Sequence, residues 1–236
     1  MIERSQLALA VQLPDDETFD SFQSRQNQQV VSQLKQFILA TDASQGFYLS
    51  GPRGAGKSHL LHACCAQATE LGLSSVCLSF SEIGQLSIEV LDGLEAIDLV
   101  CLDDIPIINQ LPEKESLQWQ RALFDLFNRM FEHNKKLVMT GAINAPNLVF
   151  SLADLQSRLR WGESASLKAL TDEDKQVIIK LRAKHRGLII TDDVCRFLLN
   201  HFTRDMNSLI KTLDILDKAS IQEQRKITIP FIKGVL

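Results

Sequence analysis

Eight consecutive residues, Gly51-Pro52-Arg53-Gly54-Ala55-Gly56-Lys57-Ser58, match the pattern G-x-x-x-x-G-K-[ST] at each required position. Glycines at these places let backbone N–H groups turn inward around phosphate oxygens, and a helix start behind them adds partial positive charge. Lys57 is placed to reach the terminal phosphates, and the Ser58 hydroxyl is a hard oxygen ligand suited to Mg²⁺. His59, next in line, is grouped with this phosphate loop. About 45 residues further on, Leu99-Val100-Cys101-Leu102 runs into Asp103-Asp104. On its own, a strand-end pair of aspartates is more often a turn or a helix cap. Behind a phosphate loop, the expectation is that Asp103 stands beside the metal and Asp104 where an attacking water would lie.

These residues must be held by regular elements. The apolar pattern predicts a helix over Gln29–Leu39 and a strand at Phe47-Tyr48-Leu49. The glycine-rich turn then opens a helix from Lys57 to Leu71. Further strands are expected at Ser75–Ser79, Leu99–Leu102, Leu137–Thr140 and Ala165–Leu167, with the longest helix near Leu117–His133. Strands alternating with helices imply an α/β fold, a parallel sheet sandwiched by helices. After Leu170 the pattern becomes purely helical. Thr171 and Asp174 have capping-box spacing, Thr191 caps a second helix, and Leu209, Leu213 and Leu216 mark the buried stripe of a third. The expected division is a tail over 1–12, an α/β domain over 13–168 and a small helical lid domain over 169–236.

Composition narrows the class. With 236 residues, 45% hydrophobic and 23% charged, the chain can build one sizeable core and a smaller satellite. A net charge of −4 gives no reason for non-specific DNA binding. Residues 168–236 carry 13 Lys/Arg against 9 Asp/Glu, a surplus that fits solvated helix faces. Cys64, Cys65, Cys77, Cys101 and Cys195 form no C-x-x-C pair and read as reduced core thiols. No apolar run approaches a membrane span and no signal region opens the chain, so a cytoplasmic protein without membrane contact is expected.

Several segments resemble one family. Leu102-Asp103-Asp104-Ile105 is similar to the acidic strand of the replication initiator DnaA, an AAA+ protein. The stretch from Asp154 to Gly162, with Ser157-Arg158 near Trp161-Gly162, and that from Phe202 to Leu209 resemble further DnaA segments. Leu170–Lys175 and Ala219–Phe231 look like the lid of the Hda regulators within this family. The resemblance spans about residues 13–236. It implies an AAA+ phosphate-loop domain and lid that binds ADP or ATP with Mg²⁺ but lacks the helix-turn-helix of DnaA, hence no sequence-specific DNA binding. It further implies DnaA and the DNA polymerase III sliding clamp as partners, and allows self-association through AAA+ interfaces. The implied role is negative regulation of replication initiation, by promoting hydrolysis of DnaA-bound ATP.

Within the resemblance, Arg158 corresponds to an arginine finger acting in trans, and Arg204 to the sensor 2 arginine that reaches the protein's own nucleotide. Without the family, Arg158 reads as a surface ion-pair residue and Arg204 as an exposed helix-start arginine. One departure stands out: DnaA-like proteins place an acidic residue two positions after Thr140, where this chain has Ala142, with Asn144 out of register. Weak or no ATPase activity of its own is therefore expected. Near the start, Gln6-Leu7-Ala8-Leu9 is similar to the clamp-binding peptide, with Gln6, Leu7 and Leu9 as contacts; packing of this tail on the core is the competing reading. His59 and His62 are spaced i, i+3 but lack a third ligand, so helix packing outweighs metal binding. A DnaC-like helicase-loader ATPase is the alternative function. It is disfavoured because loaders usually carry a longer N-terminal domain than the dozen residues before this core. A nucleotide phosphotransferase leaves the lid and the Ser-Arg segment without a role.

Overall fold

A computed structural model describes residues 17–40, 46–202 and 205–236. The clamp-type peptide with Gln6, Leu7 and Leu9, and also Arg204, lie outside the described residues. Helix α1 (Gln28–Leu39) precedes strand β1 (Gly46–Ser50), followed by α2 (Lys57–Glu70), β2 (Ser75–Ser79), β3 (Leu99–Asp103), α3 (Glu113–Glu132), β4 (Lys136–Gly141), α4 (Ala153–Trp161) and β5 (Glu163–Ser166). The strands form one parallel sheet in the order β2-β3-β4-β1-β5. This is the parallel sheet with helices on both faces that the alternating pattern predicts. Short 3₁₀ turns over residues 80–96 stand between β2 and β3, where a full helix would otherwise cross.

Strand periodicity decides which residues meet which helices, because successive side chains point to opposite faces. Phe47, Leu49, Cys101 and Val138 pack with α1 and α2 on one face. Tyr48, Val100, Leu102, Leu137 and Met139 pack with α3 and α4 on the other. Buried residues of α1 fall at 30, 31, 34, 37 and 38, the stripe of a helix laid on a sheet. Lys136 closes the far end of α1, its Nζ donating to the carbonyls of Phe37, Ile38 and Ala40. All five cysteines are free and buried, with Cys65 Sγ 3.7 Å from Cys101 Sγ.

Four helices follow: α5 (Asp172–His185), α6 (Asp192–His201), α7 (Met206–Glu223) and α8 (Ile229–Val235). Thr171 and Asp174 form a reciprocal capping box at α5, and the Thr191 hydroxyl accepts from Val194 N–H at α6. Their buried faces share a separate core containing Ile179, Leu198, Leu209, Leu213 and Phe231. Helices α4 and α8 escape an apolar-period reading because only two residues of each are buried. No described helix is long and apolar enough to cross a membrane.

The turn from α4 into β5 is set by a close approach. A Cβ on Gly162 would lie 2.5 Å from the Gly46 carbonyl oxygen, where rigid backbone leaves no room. Gly162→Ala is therefore expected to destabilise the protein by roughly 1–3 kcal/mol, as overpacking does. Gly234→Ala, in α8 with nothing within 4 Å, is expected to leave stability unchanged or slightly raised. Thermal melts of the two variants beside the parent check this. A drop of several degrees confined to Gly162→Ala is the expected result.

Candidate nucleotide and metal site

The phosphate loop connects the end of β1 to the start of α2. Gly54 and Gly56 adopt left-handed φ values of 74° and 95°. Gly56 is constrained twice, since a Cβ there would also fall 2.6 Å from Phe22 Cε2. Lys57 Nζ donates to the carbonyls of Gly51 (2.8 Å) and Pro52 (3.1 Å), folding its ammonium back over the loop. Burial lowers its pKa, and the charges of Asp104 and Asp103 counter that shift.

The acidic strand end meets this loop. Ser58 Oγ donates to Asp103 Oδ2 at 2.6 Å, and Thr140 Oγ1 donates to Asp103 Oδ1 at 2.5 Å. Thr140 Oγ1 in turn accepts the Asp104 N–H at 2.8 Å. Asp104 is one of three described non-glycine residues with positive φ, at 58°. Its carboxyl is raised above the ordinary value by burial and by the charge of Asp103, with Lys57 opposing. Ser58 and Asp103 supply only oxygen donors, the set that a small hard cation such as Mg²⁺ prefers. Among the described residues no three His, Cys, Asp or Glu side chains gather as a metal cage. A cation held by Ser58 and Asp103 would complete its shell with water or ligand oxygens.

Loop, acidic strand and lid enclose a cleft of about 620 Å³. Arg53, Gly54, Gly56, Lys57, Ser58 and His59 line it with Asp103 and Asp104; Phe22, Ile178, Met206 and Ile210 give it an apolar side. Arg53 Nε lies 3.9 Å from Asp205, the residue that caps α7. His59 faces the cleft, but its Nε2 lies 2.9 Å from Thr18 O and 3.2 Å from Ser21 Oγ. Its ring meets Phe22 edge to face at 5.5 Å. Ala142 is also in the lining, whereas Asn144 is exposed and starts a 3₁₀ turn.

Arg158 stands elsewhere. Helix α4 packs on the sheet face opposite α2 and ends against the start of β1, whereas the phosphate loop leaves its end. The Arg158 guanidinium sits 5.4 Å from the ring of Trp161, a residue that is 75% exposed.

Two cleft groups escaped the sequence reading. Phe22 precedes any periodic pattern, so nothing local marks it. Arg182 falls with Ile179 and Ala183 on the buried face of α5, and a cation on an apolar stripe was the available signal. Arg182 Nη2 donates to Glu17 Oε1 at 2.8 Å, while Glu17 Oε2 lies 2.6 Å from His62 Nδ1. Burial pushes the Glu17 pKa up, but the His62 hydrogen bond and the charges of His59, His62 and Arg182 bring it below the ordinary value. Burial likewise depresses His62, and the bond to Glu17 outweighs it, so its pKa is raised.

The two shifts define a pH window. The Glu17 contribution is present above its unfolded value of 4.5 and is lost as pH falls through the lower folded value. The His62 contribution is present below its unfolded value of 6.5 and is lost as pH rises through the higher folded value. Stabilisation by the pair is thus greatest between these limits. His62→Gln is expected to cost roughly 1–2 kcal/mol near pH 5.5 and less at pH 8.5. Melting temperatures of variant and parent across pH 4–9 measure it; a constant gap would show that the histidine charge contributes nothing.

Comparisons with known proteins agree with this architecture. Residues 172–236 match the family model described as Hda, lid domain. The structure is similar to domain III of the Thermotoga maritima replication initiation protein DnaA, with TM-score 0.78, 18% identity, and coverage of 95% of this chain and 97% of that one. AMPPCP-bound DnaA from Aquifex aeolicus aligns with TM-score 0.67 and 21% identity over 90% of this chain and 69% of its own. The Thermotoga maritima RuvB Holliday junction branch migration motor aligns with TM-score 0.66 and 16% identity over 94% and 71%. Residues 172–236 thus match an Hda-type lid, and the chain as a whole shares the fold of DnaA domain III.

Proposed function

We propose that this chain is a regulatory module that holds ADP and Mg²⁺ in its own cleft. It lends Arg158 to ATP bound by DnaA, while Gln6, Leu7 and Leu9 dock on the polymerase sliding clamp. The observation that carries this reading is the separation of Arg158 from the phosphate loop. Helix α4, which carries Arg158, packs on the sheet face opposite α2, and its last turn meets the start of β1, whereas the phosphate loop follows the end of that strand. On this reading an arginine on that helix serves a neighbour's phosphates rather than the chain's own.

Each part of the cleft has a task in this reading. Loop N–H groups and Lys57 hold the diphosphate, with Arg53 at the rim and Arg204 in the sensor 2 role that the resemblance implies. Ser58 and Asp103 hold the magnesium, which neutralises phosphate charge when bound. The AMPPCP-bound DnaA neighbour supports a nucleotide in this cleft. Asp104 would accept a proton from water, and Ala142, where DnaA-like proteins place an acidic residue, gives that water no side-chain partner, so turnover in cis is slow. Arg158 acts through its planar fork, whose permanently charged donors fit oxygens that gain charge during phosphoryl transfer. Trp161 beside it offers an exposed flat surface to the same partner.

Single-turnover hydrolysis of ATP pre-bound to DnaA, with clamp loaded on DNA, tests the assignment. Arg158→Ala is expected to reduce stimulation by about 10³ or more while ADP affinity and clamp binding stay intact. Arg158→Lys should recover little, because an ammonium lacks the fork. Equal stimulation by parent and Arg158→Ala would overturn the trans role. A separate variant with Gln6, Leu7 and Leu9 all replaced by Ala is expected to lose clamp binding in a surface-capture assay and retain ADP binding. Undiminished capture would remove the tail from the scheme.

A further inference from the structure

We propose that Thr140 is a positioning residue that fixes the Asp103 carboxylate for a nucleotide-bound magnesium ion. This rests on the nucleotide reading of the cleft and names a residue that neither the loop pattern nor the acidic strand contains.

The placement follows from strand geometry. Cys101 and Val138 are partners in the parallel β3–β4 register and both face α2. Two residues on, Asp103 and Thr140 point to the same face, towards Ser58 at the start of α2. Thr140 is completely buried. Its hydroxyl carries a single proton, and that proton goes to Asp103 Oδ1 at 2.5 Å. The oxygen accepts the Asp104 N–H at 2.8 Å, so both donor and acceptor functions are engaged. A β-branched side chain with a restricted χ1 holds this geometry without help from solvent.

The consequence is a division of labour between the two Asp103 oxygens. Oδ1 is tied to a buried group that cannot move. Among the described residues Oδ2 meets only the Ser58 hydroxyl, at 2.6 Å, a group at the cleft that would itself be a magnesium donor. Oδ2 and Ser58 can exchange each other for the cation while the bond to Thr140 keeps the carboxylate plane fixed. The same hydroxyl supports the left-handed backbone at Asp104, a conformation that costs about 1–2 kcal/mol outside glycine. Partners that orient a metal ligand in this way typically change metal affinity by about 10–100-fold when removed.

The experiment is calorimetric titration of ADP into the full chain, once in EDTA and once at saturating magnesium, for the parent, Thr140→Val and Thr140→Ser. Thr140→Val keeps shape and removes the hydroxyl; Thr140→Ser keeps the hydroxyl. Thr140→Val is expected to lower the magnesium enhancement of ADP affinity at least tenfold, with affinity in EDTA within about threefold of the parent. Thr140→Ser is expected to keep most of the enhancement. If Thr140→Val fails to fold, as a melting curve would show, Thr140→Ala is measured in its place. Unchanged enhancement in the hydroxyl-free variant overturns the inference and leaves the nucleotide reading standing. Equal loss of affinity with and without magnesium also overturns it, because a disturbed loop does not discriminate the metal. Failure of the parent to bind ADP overturns the nucleotide reading itself, and the inference with it.

Discussion

The Asp103 carboxylate is the point on which the rest of the cleft depends. It accepts one hydrogen bond from Ser58 at the start of α2 and one from Thr140 at the end of β4. These two bonds join three elements that are far apart in the chain, with sequence separations of 45 and 37 residues. The register of β3 against β4 puts Asp103 and Thr140 side by side, and the phosphate loop turns Ser58 towards them. A slip of one residue in β3 would send the carboxylate to the opposite face, into the apolar layer beneath α3 and α4, and the same slip in β4 would turn Thr140 away from it. The phosphate loop, the acidic strand and the sheet register are therefore one constraint seen from three sides.

The second organising contact lies across the cleft. Residues 17–27 run from the sheet domain to the lid and bond to both. Glu17 meets His62 of α2 and Arg182 of α5. Ser24 donates to Asp174 of the lid capping box, and Asn27 pairs with the backbone of Lys168 at the junction. Phe22 sits against Gly56 in the phosphate loop itself. Lid orientation, loop geometry and the path of the chain before α1 are thus linked through a short segment that also sets Phe19 and Phe22 into the sheet-domain core.

Arg158 is placed by a different logic. Leu155 and Leu159 anchor α4 in the layer beneath α3, and Gly162 presses its end against β1. The helix is only nine residues long, so fixing those contacts fixes the direction of its polar side. Arg158 and Trp161 emerge together on that side, at the edge where β5 begins.

Much of this architecture is local and therefore legible in the residues alone. The phosphate loop, the acidic strand end, the two Thr-capped lid helices and the alternation of strand and helix are each written within about a dozen residues. Their chemistry is that of neighbours along the chain. The resemblance to DnaA and to the Hda lid likewise rests on short motifs. What tertiary structure alone decided was every contact that joins distant segments. Phe22 gains a place only because a loop more than thirty residues later has a glycine beneath it. Arg182 is one basic residue among several on α5 until Glu17 arrives from the other end of the chain. Thr140 reads as an ordinary strand-end residue until the parallel register sets it beside Asp103. The order of the strands, and with it the separation of Arg158 from the phosphate loop, has no trace in the local pattern, since hydrophobic periodicity records which face is buried but not which neighbour buries it.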